Sequence, residues 1–124
     1  MSQNQRIVAI VDDDPAVCRA LARLVRSLGF DTITYSSGEE ILRAATSLQP
    51  DLVLIDLHLP GVMGPELLEA LRLHLQGTRF AMMTARDLAG MRESCLAAGA
   101  GAYMTKPIQL ADLTSLLASQ TPAG

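Results

Sequence analysis

The stretch that most constrains the fold is Leu52-Val53-Leu54-Ile55-Asp56, a run of branched apolar residues that ends in one carboxylate. A continuous apolar run of this length fits a strand covered on both faces, as in the middle of a parallel sheet. Open α/β sheets carry their sites outside the C-terminal ends of the strands. Asp56 therefore stands where a function is expected, and the other elements can be placed around it.

Ile7-Val8-Ala9-Ile10-Val11 is a second continuous apolar run and reads as the first strand. It runs into Asp12-Asp13-Asp14-Pro15, where Asp14 can cap a helix and Pro15 can occupy its first position. Val17, Leu21, Leu24, Val25 and Leu28 then share one helical face, and Gly29 suits a left-handed cap. Residues 31–35 alternate in polarity, as an edge strand does. Ser37-Gly38-Glu39-Glu40 has the form of a capping box and opens a helix that the pattern carries through Ile41, Leu42, Ala45 and Leu48 to a stop at Pro50.

After Asp56 comes a loop with turn chemistry, Leu57-His58-Leu59-Pro60-Gly61-Val62-Met63-Gly64. Pro65 is expected to start a third helix, with Leu67, Leu68, Leu71 and Leu75 inward and Gly77 at its close. Residues 80–84 read as a strand, 88–98 as a helix capped by Gly99, 102–105 as a fifth strand and 110–119 as a last helix. Residues 120–124 read as a tail or the start of a linker. The pattern is a βα unit repeated five times, which implies a doubly wound parallel sheet with helices on both faces. The 124 residues suit a single domain with a core over about 6–119.

Composition narrows the class. An apolar fraction of 49% supports a folded chain, and a net charge of −3 makes no electrostatic case for nucleic acid or an anionic membrane as partner. The polar start of the chain has no signal-peptide pattern, and no stretch is long enough to span a bilayer. A cytoplasmic location is the resulting expectation. Cys18 and Cys95 lie in different predicted helices among apolar neighbours and are expected to be buried free thiols.

Polar residues recur at the C-terminal ends of predicted strands: Asp12 and Asp13 on the first, Asp56 on the third, Thr84 on the fourth and Lys106 on the fifth. In a parallel sheet these ends share one edge, so residues far apart in sequence converge. Each has a plain structural explanation alone, as cap, strand residue or solvated lysine; their coincidence at one edge does not. Three carboxylates together repel unless a cation joins them. A hard divalent ion such as Mg²⁺ suits this donor set, and Lys106 and the Thr84 hydroxyl complete a pocket for a phosphoryl group. A carboxylate can act as nucleophile and form an aspartyl phosphate, and Asp56 is the best placed to do so.

The ordered set Val11-Asp12-Asp13-Asp14-Pro15, Asp51 to Asp56 with Leu59-Pro60-Gly61, Thr84-Ala85, Gly99-Ala100 and Lys106-Pro107 resembles the receiver domain of two-component response regulators. The resemblance implies a flavodoxin-like fold with strand order 2-1-3-4-5. It implies Asp56 as phosphoacceptor, served by a histidine kinase or a histidine phosphotransfer protein. Asp13 would ligate Mg²⁺ directly, Asp12 mainly through water, with Asp56 and the backbone carbonyl of His58 as further ligands. Lys106 and the backbone N–H of Ala85 would contact the phosphoryl group. The Lys106-Pro107 bond would be cis. Thr84 would move toward the phosphoryl group and Tyr103 would turn inward behind it, changing the face formed by the fourth helix, fifth strand and fifth helix. His58 and Arg86 would flank the phosphoryl group and tune its hydrolysis, a bulky pair restricting the attacking water. The reader would be a downstream effector or a fused output domain.

Other classes fit less well. A haloacid-dehalogenase-type phosphotransferase needs a second aspartate two residues after its nucleophile, and that position is His58. A dinucleotide-binding reading fails because no Gly-x-Gly-x-x-Gly follows the first strand. A degenerate receiver that acts only as an interaction module is countered by the complete acidic pair with Asp56, Thr84 and Lys106.

Overall fold

The computed structural model describes residues 6–62 and 64–118. Five parallel strands, β1 (Ile7–Val11), β2 (Asp31–Tyr35), β3 (Leu52–Asp56), β4 (Arg79–Thr84) and β5 (Ala102–Thr105), form one sheet in the order β2-β1-β3-β4-β5. Five helices alternate with them: α1 (Pro15–Ser27), α2 (Gly38–Ala44), α3 (Gly64–His74), α4 (Met91–Ala98) and α5 (Leu110–Ala118). This is the doubly wound α/β, flavodoxin-like arrangement that the alternation of runs implies.

All five residues of β3 are buried, as a strand with neighbours and helices on every side requires. Alternate residues of the central strands feed two separate apolar clusters. Ala9, Val11, Val53 and Ile55 face Ile41, Leu67, Leu68 and Leu71 from α2 and α3. Val8, Ile10, Leu52 and Leu54 face Leu21, Val25, Leu113 and Leu116 from α1 and α5. β2 lies at the edge and is largely exposed, in keeping with its mixed sequence. Cys18 and Cys95 are both buried and unbridged, one in each cluster.

Local signals place the helix ends. The Asp14 side chain accepts from the Ala16 N–H with Pro15 in the first turn of α1, and Gly29, with φ +94°, follows its end. At α2 the Ser37 hydroxyl accepts from the Glu40 N–H, as a capping box requires. The reciprocal bond differs: the Glu40 carboxylate accepts from the N–H and hydroxyl of Ser36, not from Ser37.

Two helices are shorter than the apolar pattern suggests. α2 stops at Ala44, and Ala45 and Ser47 turn back on Leu42 and Ala44 through tight backbone hydrogen bonds. Ala45 and Leu48 are still buried, so burial without helical backbone extended the pattern. α4 begins at Met91, not at 88, because Gly90 takes φ +81° and ends a turn closed from the Met91 N–H to the Leu88 carbonyl. At the other end of α4, Arg72 of α3 donates from Nη1 to the Ala98 carbonyl at 2.9 Å. Gly99 sits against that guanidinium with φ +116°, where a Cβ would collide with it. Smaller differences are β4 starting at Arg79 and α3 at Gly64. The end expected for the last helix at 119, and the expected tail over 120–124, lie outside the described residues.

The contrast between Leu54, fully buried, and Leu73, 77% exposed, is directly measurable. Leu54→Ala should lower unfolding free energy by about 2–5 kcal/mol through lost burial and the cavity left behind. Leu73→Ala should change it by less than about 0.5 kcal/mol. Urea denaturation of the two variants checks both values.

Candidate functional site

The parallel ladder continues one residue past the strands and fixes the site backbone. The Asp12 N–H donates to the Tyr35 carbonyl at 3.0 Å, that of Leu57 to Met83 at 2.7 Å, and that of Lys106 to Thr84 at 2.7 Å. Asp12, Asp56, Thr84 and Lys106 are thereby brought to a common edge. Asp12, Asp56 and Thr84 are buried there, whereas Asp13 is exposed.

Asp12, Asp13 and Asp56 each offer an oxygen within 4.8 Å of the others. Lys106 Nζ lies 2.7 Å from Asp12 Oδ2 and 3.5 Å from Asp56 Oδ1. Asp12 Oδ1 accepts from the Asp14 N–H at 2.9 Å, which turns the acidic segment into the start of α1. The Lys106-Pro107 peptide bond is cis. The donor set is all oxygen and acidic, the type that a hard divalent cation takes, and a partly hydrated Mg²⁺ fits it.

Burial is the largest influence on Asp56 and raises its pKa. The His58 N–H, donating to Oδ1 at 3.2 Å, and the Lys106 ammonium pull it down, while the Asp12 charge pushes it up; the net direction is upward. For Lys106, burial pulls the pKa down, but the bond to Asp12 and the charges of Asp56 and Asp12 outweigh it and the net direction is also upward. The two shifts have different causes: burial dominates at Asp56, and the paired carboxylates together outweigh burial at Lys106.

The Thr84 hydroxyl is held by three partners. It donates to the Arg86 carbonyl at 2.6 Å, accepts from the Arg86 N–H at 3.0 Å and lies 2.9 Å from His58 Nε2. His58 and Arg86 are both exposed; His58 meets Thr84 through its ring and Arg86 through its backbone. The residue pattern gave no sign of the ring contact between His58 and Thr84, because it depends on a loop and a strand end meeting across the edge.

Tyr103 is already turned inward. Its ring is 9% exposed within the α2/α3/α4 cluster, and its hydroxyl donates to Asp87 Oδ1 at 3.0 Å. The guanidinium of Arg92 lies 5.9 Å from its ring centre. The ring is thus already buried in this conformation, beside Asp87 and Arg92. Asp87 is a residue of this network that the sequence pattern did not single out.

Comparison with known proteins places the chain. Residues 8–118 match the model of the response regulator receiver domain. The chain is 37% identical over 114 residues to the DNA-binding response regulator MtrA of Mycolicibacterium smegmatis, covering 92% of this chain and 49% of that protein. It thus spans about half the length of such curated relatives. Among solved structures, a CheY-like receiver domain protein from Methanospirillum hungatei superimposes with a TM-score of 0.87 at 27% identity, over 94% of each chain. The receiver domain of the sensor histidine kinase PA1611 from Pseudomonas aeruginosa, solved with a magnesium ion coordinated in its active-site cleft, gives 0.82 at 29% identity over 94% of this chain and 97% of that one. The chain belongs to the response regulator receiver domain family of two-component signalling, a signalling family and not a conventional enzyme class. No helix among the described residues is long and apolar enough to cross a membrane.

Two measurements follow from the charges. A raised carboxyl holds its proton more tightly folded than unfolded, so folding loses stability as pH rises through that range and ionised Asp56 is a net cost at neutral pH. Metal-free Asp56→Asn should therefore be more stable by roughly 0.5–2 kcal/mol in urea denaturation at pH 7. The gain should fade in acid, where the wild-type carboxyl takes up its proton. Tyr103 is pushed up to about 12, first by burial and then by the bond to Asp87. Its stabilising contribution is thus present below the ordinary value of 10.0 and lost as pH climbs toward 12. In a Tyr35→Phe background with one phenol left, Asp87→Asn should lower the phenolate absorbance midpoint, which should still stay above 10.0 because burial is the larger cause.

Proposed function

We propose that this chain is a phosphoryl-accepting switch in which Asp56 takes phosphate from a histidine kinase or a histidine phosphotransfer protein. The observation that carries this is the placement of Asp56 at the end of the buried central strand, with two further carboxylates and an ammonium around it. A carboxylate oxygen of Asp56 attacks phosphorus, the donor's N–P bond breaks, and the imidazole leaves with the electron pair. Little covalent chemistry is asked of the protein, so positioning and charge balance suffice.

Asp12, Asp13, Asp56 and the His58 carbonyl would hold Mg²⁺. The ion, when bound, supplies the positive charge that three carboxylates and an incoming phosphoryl group require. Lys106 stands between Asp12 and Asp56 and can transfer part of its pairing to a phosphoryl oxygen. The N–H of Ala85 and the hydroxyl of Thr84 would donate to the remaining oxygens. His58 and Arg86 would set how readily water reaches the aspartyl phosphate.

Since Tyr103 is already inward, the moving part of the switch is Thr84 with the segment that leads into α4. The altered face of α4, β5 and α5 would be read by a downstream effector or by an output domain on the same chain. We read the described residues as one receiver domain, which the extent of the family match supports.

Mass spectrometry after incubation with Mg²⁺ and a small phosphodonor tests the proposal. One phosphoryl adduct is expected in wild type, none in Asp56→Asn, and none when the metal is chelated. No adduct with any donor would favour a phosphorylation-independent interaction module, and rapid multiple turnover of donor would favour an enzyme.

A further inference from the structure

A threonine hydroxyl can donate one hydrogen bond and accept two. In this chain all three places at Thr84 are filled. Its hydrogen points to the Arg86 carbonyl at 2.6 Å, and the Arg86 N–H donates back at 3.0 Å. The remaining acceptor position faces His58 Nε2 at 2.9 Å. With the hydroxyl hydrogen committed to Arg86, the imidazole must be the donor, so Nε2 carries a hydrogen. The backbone of the same residue is tied to the phosphoacceptor, its N–H donating to Asp56 Oδ1 at 3.2 Å. His58 therefore spans from the acceptor carboxylate to the switch hydroxyl.

We propose that His58 is a positioning residue that latches the Thr84 hydroxyl away from Asp56 in the unphosphorylated domain and competes with the phosphoryl group for it. The proposal rests on the reading of Asp56 as phosphoacceptor and adds a second role for His58, distinct from shielding the aspartyl phosphate from water. For Thr84 to donate to a phosphoryl oxygen, its O–H must leave the Arg86 carbonyl and its oxygen must leave Nε2. With Tyr103 already inward, these bonds are the specific contacts that oppose the change. The latch lowers the fraction of molecules ready for a phosphoryl ligand, and apparent affinity falls by that same fraction. His58 is exposed, so replacing it leaves the core intact.

Beryllofluoride with Mg²⁺ is a phosphoryl mimic that needs no kinase. It is titrated into the full chain while the backbone amide signals of Ala85 and Arg86 are followed by NMR. His58→Leu, which keeps bulk and loses the donor, should half-saturate at a concentration roughly three- to tenfold lower than wild type, the range that a net hydrogen bond allows. His58→Gln, whose amide nitrogen reaches the place of Nε2, should remain within about twofold of wild type. In a Thr84→Ala background the effect of His58→Leu should disappear. Wild type and His58→Leu saturating together would overturn the latch, as would equal gains in the Leu and Gln variants, since shape and not the hydrogen bond would then be responsible. Failure of wild type and every variant alike to take up beryllofluoride would overturn the acceptor reading itself, and the latch with it; that silence is distinct from saturation at equal concentrations.

Discussion

The structure depends on concentrating negative charge at one edge of a sheet and balancing it with a single ammonium. Asp12 and Asp56 are 1% and 5% exposed, a placement that costs free energy unless each charge has a partner. Lys106 supplies that partner from the far side of the sheet in sequence, 94 residues from Asp12. It can do so because β5 lies beside β4, and its backbone is held by the Thr84 carbonyl. One lysine does not neutralise three carboxylates, and burial first, then the Asp12 charge, hold the Asp56 pKa up against the pull of the His58 N–H and Lys106. A site left short of positive charge is also one ready to receive it, which links the cost in stability to the capacity to bind a cation.

The loop after β3 joins two roles in one residue, His58. Its backbone lies next to Asp56, and its imidazole lies next to Thr84. The strand after it, β4, ends at the hydroxyl that the imidazole touches. Chemistry at the carboxylate and geometry at the hydroxyl are therefore coupled through one residue, without any long chain of packed groups between them.

Much of this was legible from residue order. Strictly alternating apolar runs and helical faces place every strand, and the carboxylates, threonine and lysine then fall on a common edge by topology alone. Asp14 with Pro15 and Gly29 mark α1 because capping is local chemistry. Helix ends that depend on tertiary context were not legible. Leu48 is buried in the core although it lies beyond the end of α2, so its apolar character extended that helix too far. Gly90 interrupts what looks like a helix from 88, since its left-handed backbone is set by the turn before α4. The contacts of His58 with Thr84 and of Asp87 with Tyr103 cross between segments, and no pattern within either segment announces them. The inward placement of Tyr103 likewise depends on space left by its neighbours, which residue types alone do not reveal.

The attachment of α4 has a consequence for how the molecule opens. Its fully buried side chains are Cys95 and Ala98, both small and both in its second half. That end is also pinned by Arg72 on the Ala98 carbonyl. The first turn starts from Gly90 with no side-chain cap and follows an exposed segment that leads directly from Thr84. If that turn came undone, Met91, partly buried against the core, would be its one apolar side chain to lose cover. In free-energy terms its local opening lies far below global unfolding, and amide hydrogens there should exchange through small fluctuations while those of β3 wait for the whole domain to unfold.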